Sequence, residues 1–295
     1  MPERPFAGVE LGGTKCVCTL AHGADVIVDQ ATVPTTTPDE TLGGLAAVLT
    51  RWQSEHGIRA LGIASFGPVD LDRASPTFGR ITTTTKPVWQ MADVAGRLGA
   101  CVDGPLALDT DVNGAALAET RWGAGRGVSD FAYITVGTGV GVGLIANGQS
   151  VHGFGHPELG HIRVVRLPGD DWPGACPFHG GCVEGLASGS ALAARLGGRS
   201  PADLPPDDRI WESVAFTLAQ LCQVLVCATA PARIAIGGGV FDKQPHLLAR
   251  IEPLLVASLA GYISLPGDGP YIVAPGLGVR AGPLGSIALA MDAVS

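Results

Sequence analysis

Two glycine-rich turns separate pairs of apolar segments, one near the start of the chain and one near its middle. The turn residues are Gly12, Gly13, Thr14 and Lys15 in the first, and Gly137, Thr138 and Gly139 in the second. Backbone N–H groups at a glycine turn can approach phosphate oxygens closely, and a nearby hydroxyl and ammonium group can hold a γ-phosphate. Either turn alone would be an ordinary hairpin, but their recurrence in both halves favours a nucleotide polyphosphate as ligand. The first turn lacks the G-x-x-x-x-G-K-[ST] spacing of a P-loop.

Acidic residues stand at the ends of two predicted strands. The apolar stretch 106–108 is followed by Asp109, Thr110 and Asp111, just before a predicted helix. Ligands of α/β sheets collect at the carboxyl ends of strands, where Asp111 could accept the proton of an attacking hydroxyl. All three residues can also cap a helix, and spacing alone does not say which one is catalytic. Glu10, directly before the first turn, could hold Mg2+ through water or could be a solvated strand end.

Four side chains that bind metals share one segment of the second half. They are His161, Cys176, His179 and Cys182, in the pattern H-x14-C-x2-H-x2-C. Two thiolates and two imidazoles complete the tetrahedral set of a structural zinc site. Cys176 and His179 lie in a stretch rich in proline and glycine, 173–181, and Cys182 follows it directly, so a metal would hold this loop in place. His161 could instead be a hydrogen-bonding residue of a ligand site.

Two carboxylates flank this cluster, Glu158 on one side and Glu184 on the other. Carboxylates accept hydrogen bonds from adjacent sugar hydroxyls, so the pair suits a polyol. They could equally support a zinc-bound histidine or be exposed loop charges. The remaining cysteines are predicted to be buried packing residues. They are Cys16, Cys18, Cys101, Cys222 and Cys227.

Alternating strands and helices must position these groups. Thr37-Pro38-Asp39-Glu40 is a capping box that begins a helix ending at Gly57. Apolar periodicity predicts the other main elements. These are strands at 6–20 (two, around the first turn), 59–65, 106–108, 131–136, 142–146, 233–236 and 271–274, and helices at 89–99, 112–120, 208–230 and from about 282. The pattern predicts a duplicated α/β unit.

Composition and charge argue against a nucleic-acid-binding, secreted or membrane-spanning protein. The 295 residues carry a formal net charge of −8 and no basic block, which argues against a nucleic-acid partner. The N-terminus lacks a signal-peptide pattern, and the apolar run 218–230 is too short to span a bilayer. Seven cysteines, an odd number, favour a reducing compartment. A cytoplasmic protein with no membrane partner is therefore expected.

At this point the chain resembles the ROK family of sugar kinases. The matching motifs span almost the whole chain in order: 11–15, 109–114, 136 through 158–161, 181–185 and 236–240. The resemblance implies an actin-like ATPase (ribonuclease H-like) fold, an α/β fold with two domains around a cleft. The expected domains are 1–111 together with a C-terminal helix at about 282–295, and 112–281 with the zinc loop.

The resemblance also implies roles for individual residues. Asp111 would be the general base, and Glu158, His161, Glu184 and Asn113 would contact the sugar. The two turns would hold the phosphates of ATP with Mg2+. The adenosine side would involve Ser190 and the run Gly237, Gly238, Gly239, Val240 and Phe241. Zinc would be structural, with His161 touching both metal and sugar, and a homodimer is a family expectation.

Departures from the family pattern point to the acceptor sugar. Glu10, Thr110 and His179 stand where the family often has Asp, Asn and Cys, and these residues resemble the fructokinase branch. The stretches 66–70 and 82–89 do so too. We therefore expect fructose to be phosphorylated at O6, with glucokinase, mannokinase or N-acetylhexosamine kinase activity as alternatives. A non-catalytic, sugar-sensing repressor is disfavoured because the first glycine hairpin, strand included, begins by residue 8, which is expected to leave no room for a DNA-binding helix-turn-helix.

Overall fold

The computed structural model describes residues 3–267 and 269–295 and divides into two compact units, each described here by itself. The first comprises Met1–Gly123, Ser150–His156 and Leu277–Ser295, its first two residues lying outside the described part; the second comprises Ala124–Gln149 and Pro157–Gly276. Each unit carries a five-stranded mixed sheet with helices, which is the predicted class of fold. The predicted division at residue 111 differs from this one because the helix after Thr110 packs with the C-terminal helix and stays in the first unit.

The first unit is built on a sheet with strand order β3-β2-β1-β4-β5. Its strands are β1 Phe6–Leu11, β2 Lys15–Ala21, β3 Ile27–Pro34, β4 Leu61–Ser65 and β5 Leu106–Thr110. Its helices are α1 Pro38–His56, α2 Val94–Gly99, α3 Asp111–Trp122 and α9 Ala281–Asp292, with 3-10 turns at Pro87–Trp89 and Gly278–Arg280. β1, β4 and β5 run parallel, in a register that aligns Leu11 with Ser65 and Ser65 with Thr110. The first glycine turn and Asp111 therefore leave the sheet at the same edge.

Glycines allow α9 to lie unusually close to its neighbours. A Cβ added at Gly62 of β4 would overlap the backbone carbonyl of Ser286, and one at Gly285 would overlap the backbone at Gly114 of α3. Such contacts leave no room for side chains, so both helices are fixed by backbone proximity. Because Asp111 is the first residue of α3, this packing also fixes the position of its backbone.

The second unit has strand order β10-β9-β6-β7-β8. Its strands are β6 Phe131–Val136, β7 Val140–Ala146, β8 Gln149–Ser150, β9 Arg233–Gly237 and β10 Ile272–Val273. Its helices are α4 Val183–Ala187, α5 Gly189–Leu196, α6 Arg209–Thr229, α7 Gly239–Lys243 and α8 Leu248–Leu259, with 3-10 turns at Leu159–His161, Pro201–Asp203 and Pro245–Leu247. β6 and β9 are parallel and align Thr135 with Gly237. The second glycine turn and the Gly237–Gly239 run thus begin at one edge of this sheet.

Helix α6 is the core helix of the second unit. Within the described ranges it is the one helix long and apolar enough to cross a membrane, but 67% of that stretch is buried inside the protein. Trp211, Leu218 and Cys222 are fully buried along it. Burial of this kind is typical of a core helix.

Three local predictions differ from the structure. Strand β3 was not predicted, because its residues are half-exposed or exposed throughout. The helix expected at 89–99 begins only at Val94, after Asp93 caps its N-terminus. Cys227 is exposed and Cys101 half-buried, whereas both were expected to be buried. Cys227 lies three residues after Val224 on α6, and both side chains are exposed.

Candidate active site

The first glycine turn is held through its carbonyl groups. Thr35 Oγ1 donates to the carbonyl of Gly12 at 2.8 Å, and Lys86 Nζ donates to the carbonyl of Gly13 at 2.7 Å. Thr14 and Lys15 at the tip are exposed. Lys86 brings a second cation to a turn that already carries Lys15. No role was predicted for Lys86, although it lies in the stretch 82–89 that resembles the fructokinase branch.

Asp111 begins α3 and does not cap it. Thr110 is the N-cap, and its Oγ1 accepts a hydrogen bond from the backbone N–H of Asn113 at 3.2 Å. The partly buried carboxylate of Asp111 accepts a hydrogen bond from the N–H of Val112 at 2.9 Å. Burial raises the pKa of Asp111 to about 6. At neutral pH this carboxylate is ionised and basic enough to take a proton from an alcohol as it reacts.

Asp109 braces the turn that carries Asp111. It is 2% exposed, and its Oδ1 accepts hydrogen bonds from the N–H of Thr110 at 2.7 Å and from Asn113 Nδ2 at 2.8 Å. His152 Nε2 lies 3.1 Å from both carboxylate oxygens. The hydrogen bond to Asp109 raises the pKa of His152. Asn113 is 1% exposed, which favours a bracing role over the predicted sugar contact.

Glu10 shares the electrostatic environment of Asp111 and Lys15. Burial, followed by the charge of Asp111, raises the pKa of Glu10 to about 7, while Lys15 lowers it. Asp111 ionises at the lower pH, so Glu10 must lose its proton beside a carboxylate that is already charged. The carboxyl of Glu10 also packs on Gly282, where a Cβ would overlap it. Two carboxylates that repel each other form a set of oxygen ligands that a divalent cation would neutralise.

The second glycine turn is joined to the start of α5. Gly189 N–H donates to the carbonyl of Gly137 at 2.7 Å, and Ser190 N–H donates to the carbonyl of Thr138 at 3.3 Å. Ser188 caps α5 by accepting from Ala191 N–H at 3.1 Å. Ser190, predicted as a nucleotide contact, therefore lies directly beside the turn.

The Gly237–Phe241 run connects β9 to α7. Gly238 has φ of 96°, and a Cβ there would lie 2.8 Å from Thr135 and Val136, so only glycine fits. The side chains of Val240 and Phe241 are buried. A nucleotide contact at these two residues would have to use their backbone. Gly239 is exposed, with open space around its Cα.

The four predicted metal ligands come together in one place. The ligand atoms of His161, Cys176, His179 and Cys182 all lie within 4.8 Å of one another. Cys176 Sγ is 3.7 Å from Nδ1 of both histidines, and Cys182 Sγ is 3.7 Å from His161 Nδ1. Ideal tetrahedral zinc with the usual bond lengths places such sulfur and nitrogen atoms about 3.6 Å apart. Donor types and spacing both fit a four-coordinate zinc.

The predicted sugar carboxylates lie next to this cluster. His161 Nε2 is 3.9 Å from Glu184 Oε1, while Glu184 Oε2 accepts a hydrogen bond from the N–H of Val140 at 3.1 Å. Glu158 is exposed and begins the turn that ends in His161, whose N–H donates to its carbonyl at 3.0 Å. His161 therefore directs one ring nitrogen to the metal ligands and the other to Glu184.

Each unit gathers one part of the predicted site. The first brings Glu10, the first turn and Asp111 to one sheet edge. The second joins its glycine turn to Ser190, Glu184 and the metal ligands. Lys86 and His152 were missed because each comes from a segment remote in sequence from the group it contacts. A positive charge near a glycine turn, or a histidine near an Asp-Thr-Asp motif, has no fixed spacing that sequence reasoning could use.

Comparison with known proteins gives a consistent result. The sequence profile described as "ROK family" matches residues 6–293. A fructokinase from Pediococcus pentosaceus is 41% identical over 98% of this chain and 98% of its own length. A fructokinase from Zymomonas mobilis is 41% identical over 99% of this chain and 98% of its own length. The crystal structure of a ROK family glucokinase from Streptomyces griseus, in complex with glucose and AMPPNP, is 26% identical with a TM-score of 0.73, covering 98% of this chain and 99% of that one.

Proposed function

Because this chain belongs to the ROK family, we propose that it is an ATP-dependent fructokinase that forms fructose 6-phosphate. All three relatives match it over nearly their full lengths, but the two fructokinases are 41% identical to it and the glucokinase of known structure is 26% identical. Departures at Glu10, Thr110 and His179 support the same choice of sugar. The enzyme is a phosphotransferase with an alcohol group as acceptor.

The single observation that supports the proposed reaction is the position of Asp111 together with its raised pKa. Asp111 directly follows the parallel strand β5, at the sheet edge that also carries the first glycine turn, and burial raises its pKa to about 6. As O6 of the sugar bonds to the γ-phosphorus, the bond from that phosphorus to the bridging oxygen breaks, and ADP leaves with the electron pair. The proton of the O6 hydroxyl passes to Asp111. Phosphoryl transfer needs little beyond such a base, positioning and neutralised charge.

The phosphates of ATP are held by backbone N–H groups and cations. In the first unit, Lys15 is exposed at the tip of the first turn, and Lys86 is bonded to the carbonyl of Gly13. The second turn and Ser190 would supply further contacts, and Gly239 would lie on the adenosine side. Glu10 would hold Mg2+ through water, which relieves its repulsion from Asp111. A bound AMPPNP in the related glucokinase supports a nucleotide as the second substrate.

The sugar is proposed to contact Glu158, His161 and Glu184. Zinc, when bound, would fix the loop that carries Cys176 and would withdraw electron density from the imidazole of His161. Because Nδ1 of His161 points to the other metal ligands, its proton would sit on Nε2, the nitrogen 3.9 Å from Glu184. His161 would then donate to a sugar hydroxyl while the two carboxylates accept.

A coupled assay of ADP release with MgATP across fructose, mannose, glucose and N-acetylhexosamines tests the proposal. Fructose should give the highest kcat/KM. Asp111→Asn should lower kcat by about 10²-fold or more, while fructose binding measured by calorimetry stays close to wild type. Higher kcat/KM for another sugar would overturn the choice of fructose. Turnover by Asp111→Asn at the wild-type rate would remove the assigned base.

The zinc proposal has its own test. Protein purified without chelator should contain about one zinc per chain by elemental analysis. Cys176→Ser should lose the metal, melt at a lower temperature and bind fructose more weakly, because the loop bearing Glu184 would slacken. Cys227→Ser, which changes an exposed cysteine elsewhere in the unit, is the matched control and should change none of these. A metal-free wild type with unchanged melting would refute the structural role.

Two further expectations stay as proposals. We propose a cytoplasmic location, and we propose that the chain forms a homodimer. Light scattering after gel filtration would give the mass of the particle directly, and a mass of one chain would refute the dimer.

A further inference from the structure

We propose that Glu184 positions the second glycine turn, so that binding of sugar and binding of nucleotide strengthen one another through this one side chain. The inference rests on the proposed function, in which Glu184 meets the sugar and the turn meets the phosphates. It adds a role for Glu184 toward the nucleotide, and an energetic link between the two substrates.

The carboxylate of Glu184 has two different neighbours. Its Oε2 accepts a hydrogen bond from the N–H of Val140 at 3.1 Å, and Val140 is the first residue after the turn. Its Oε1 lies 3.9 Å from His161 Nε2. A Cβ added at Gly139 would overlap the same Oε2. One oxygen therefore supports the turn and the other is next to the residue proposed to hold the sugar.

The segment that carries Glu184 supports the turn again farther along. Helix α4 is capped by Cys182, whose Sγ accepts from Gly185 N–H at 3.4 Å, and it ends where Ser188 N–H donates to the carbonyl of Glu184 at 3.1 Å. Directly after it come the bonds from Gly189 to Gly137 and from Ser190 to Thr138. Seven consecutive residues, 184–190, thus make three hydrogen bonds to residues 137–140.

These bonds add to the pairing of β6 with β7 and to the hydrogen bond from Gly137 N–H to the carbonyl of Gly139 at 2.9 Å. Gly137 and Gly139 have no side chains, and a Cβ at Gly137 would meet open space. Each backbone residue that is fixed in one conformation costs about 1–2 kcal/mol of entropy, so a glycine turn stays ordered only if it is restrained from outside. A sugar hydroxyl bonded to Oε1 would restrict the carboxylate and, through Oε2, the N–H of Val140. Binding of phosphate would then cost the turn less conformational entropy.

Coupling of this kind is reciprocal. If fructose raises the affinity for the nucleotide by some factor, the nucleotide must raise the affinity for fructose by the same factor. We expect a factor of about 10, within the usual range for coupled sites. Removing the side chain should abolish the coupling, and an amide should keep the support of the turn because its oxygen can still accept from Val140.

Calorimetry with AMP-PNP, with and without saturating fructose, tests the inference on three variants. Glu184→Ala should bind AMP-PNP about 10-fold more weakly without sugar and show no gain with sugar. Glu184→Gln should bind AMP-PNP as wild type does without sugar, which separates positioning from charge. Glu158→Gln, the matched control, should weaken fructose binding yet leave AMP-PNP affinity without sugar unchanged. Circular dichroism and melting establish that each variant is folded.

A fourth variant tests the same coupling by changing the glycine turn instead of Glu184. Gly139→Ala would displace the Glu184 carboxylate, so it should weaken fructose binding measured without any nucleotide. This result is expected even though Gly139 belongs to the nucleotide turn. It keeps the inference testable if Glu184→Ala does not fold.

The outcomes separate the inference from the proposed function. Wild-type protein that bound no AMP-PNP would refute the kinase assignment and the inference with it. Wild-type protein that bound both ligands, together with Glu184→Ala that bound AMP-PNP equally well and kept the full gain from fructose, would refute the inference alone. Unchanged fructose binding by Gly139→Ala would refute it as well.

Discussion

Replacing Asp111 with asparagine should make the protein more stable while it removes the catalytic base. Burial raises the pKa of Asp111 from 3.8 to about 6, so the folded protein keeps this proton to a higher pH than the unfolded chain does. Ionising Asp111 therefore costs the folded state free energy. Asparagine keeps the shape of the side chain, and its amide oxygen can still accept the hydrogen bond from Val112.

The size of the effect follows from the shift. A raised acid pKa makes stability fall as pH rises between the two pKa values, and the full loss is present above the folded one. A shift of about two units corresponds to about 3 kcal/mol at pH 8 and about 1 kcal/mol at pH 4.5. For a chain of this length, 3 kcal/mol raises the melting temperature by roughly 5 °C. The gain should fade to near zero by about pH 3, where wild-type Asp111 is protonated in both states.

Thermal and urea denaturation of wild type and Asp111→Asn between pH 4 and pH 8 measure the difference. Asp70→Asn is the matched control with the opposite sign. Hydroxyl groups of Ser75 and Thr77, each 2.6 Å from Asp70 Oδ2, lower the pKa of Asp70. That variant should be less stable than wild type at pH 8, with the difference fading as pH falls and wild-type Asp70 takes up its proton. An Asp111→Asn protein no more stable than wild type at pH 8 would refute the reasoning.

Three further changes test other contacts. The ion pair of His152 with Asp109 stabilises the folded protein fully below about pH 6.5, and this contribution is lost as pH rises through the raised pKa of His152. His152→Gln should therefore lower the free energy of unfolding in urea more at pH 6 than at pH 9. Equal losses at the two pH values would contradict this expectation. Asp170→Asn removes the negative charge and one of the two oxygens that accept from Arg195, so it should cost about 3 kcal/mol in urea denaturation at pH 7. A loss under 1 kcal/mol would contradict this expectation. Gly62→Ala should cost about 2 kcal/mol or more by pushing α9 off the sheet, and an unchanged melting temperature would contradict it.

Local signals in the sequence predicted local structure well. The capping box at Thr37 begins α1 where expected, with Thr37 Oγ1 accepting from Glu40 N–H, and Gly57 ends the helix. The metal cluster could be predicted because three of its ligands lie within seven residues and only His161 is remote. Strand β3 was not predicted because it has no buried face of its own and is stabilised by its pairing with β2.

The finer geometry of the site depends on contacts between remote segments. Spacing could not say which of Asp109, Thr110 and Asp111 caps α3, since all three are good caps. The structure distinguishes them by burial: Asp109 is enclosed, Thr110 bonds to the helix and Asp111 stays partly exposed. The enclosure of Asp109 comes in part from His152, a residue 43 positions away. No pattern along the chain encodes that approach.

The turn before α3 is held by bonds that do not use the catalytic carboxylate. Asp109 accepts from Thr110, Asn113 and His152, and Thr110 caps the helix, while Asp111 itself accepts only from its neighbour Val112 among the hydrogen bonds described above. Asp111 can therefore be kept in an environment that disfavours its charge without loosening the turn that carries it. The free energy that ionised Asp111 costs is offset by this bracing and by the close packing of α3 on α9. It follows that changing Asp111 should remove the base and leave its surroundings in place, whereas changing Asp109 should displace a base that is chemically intact.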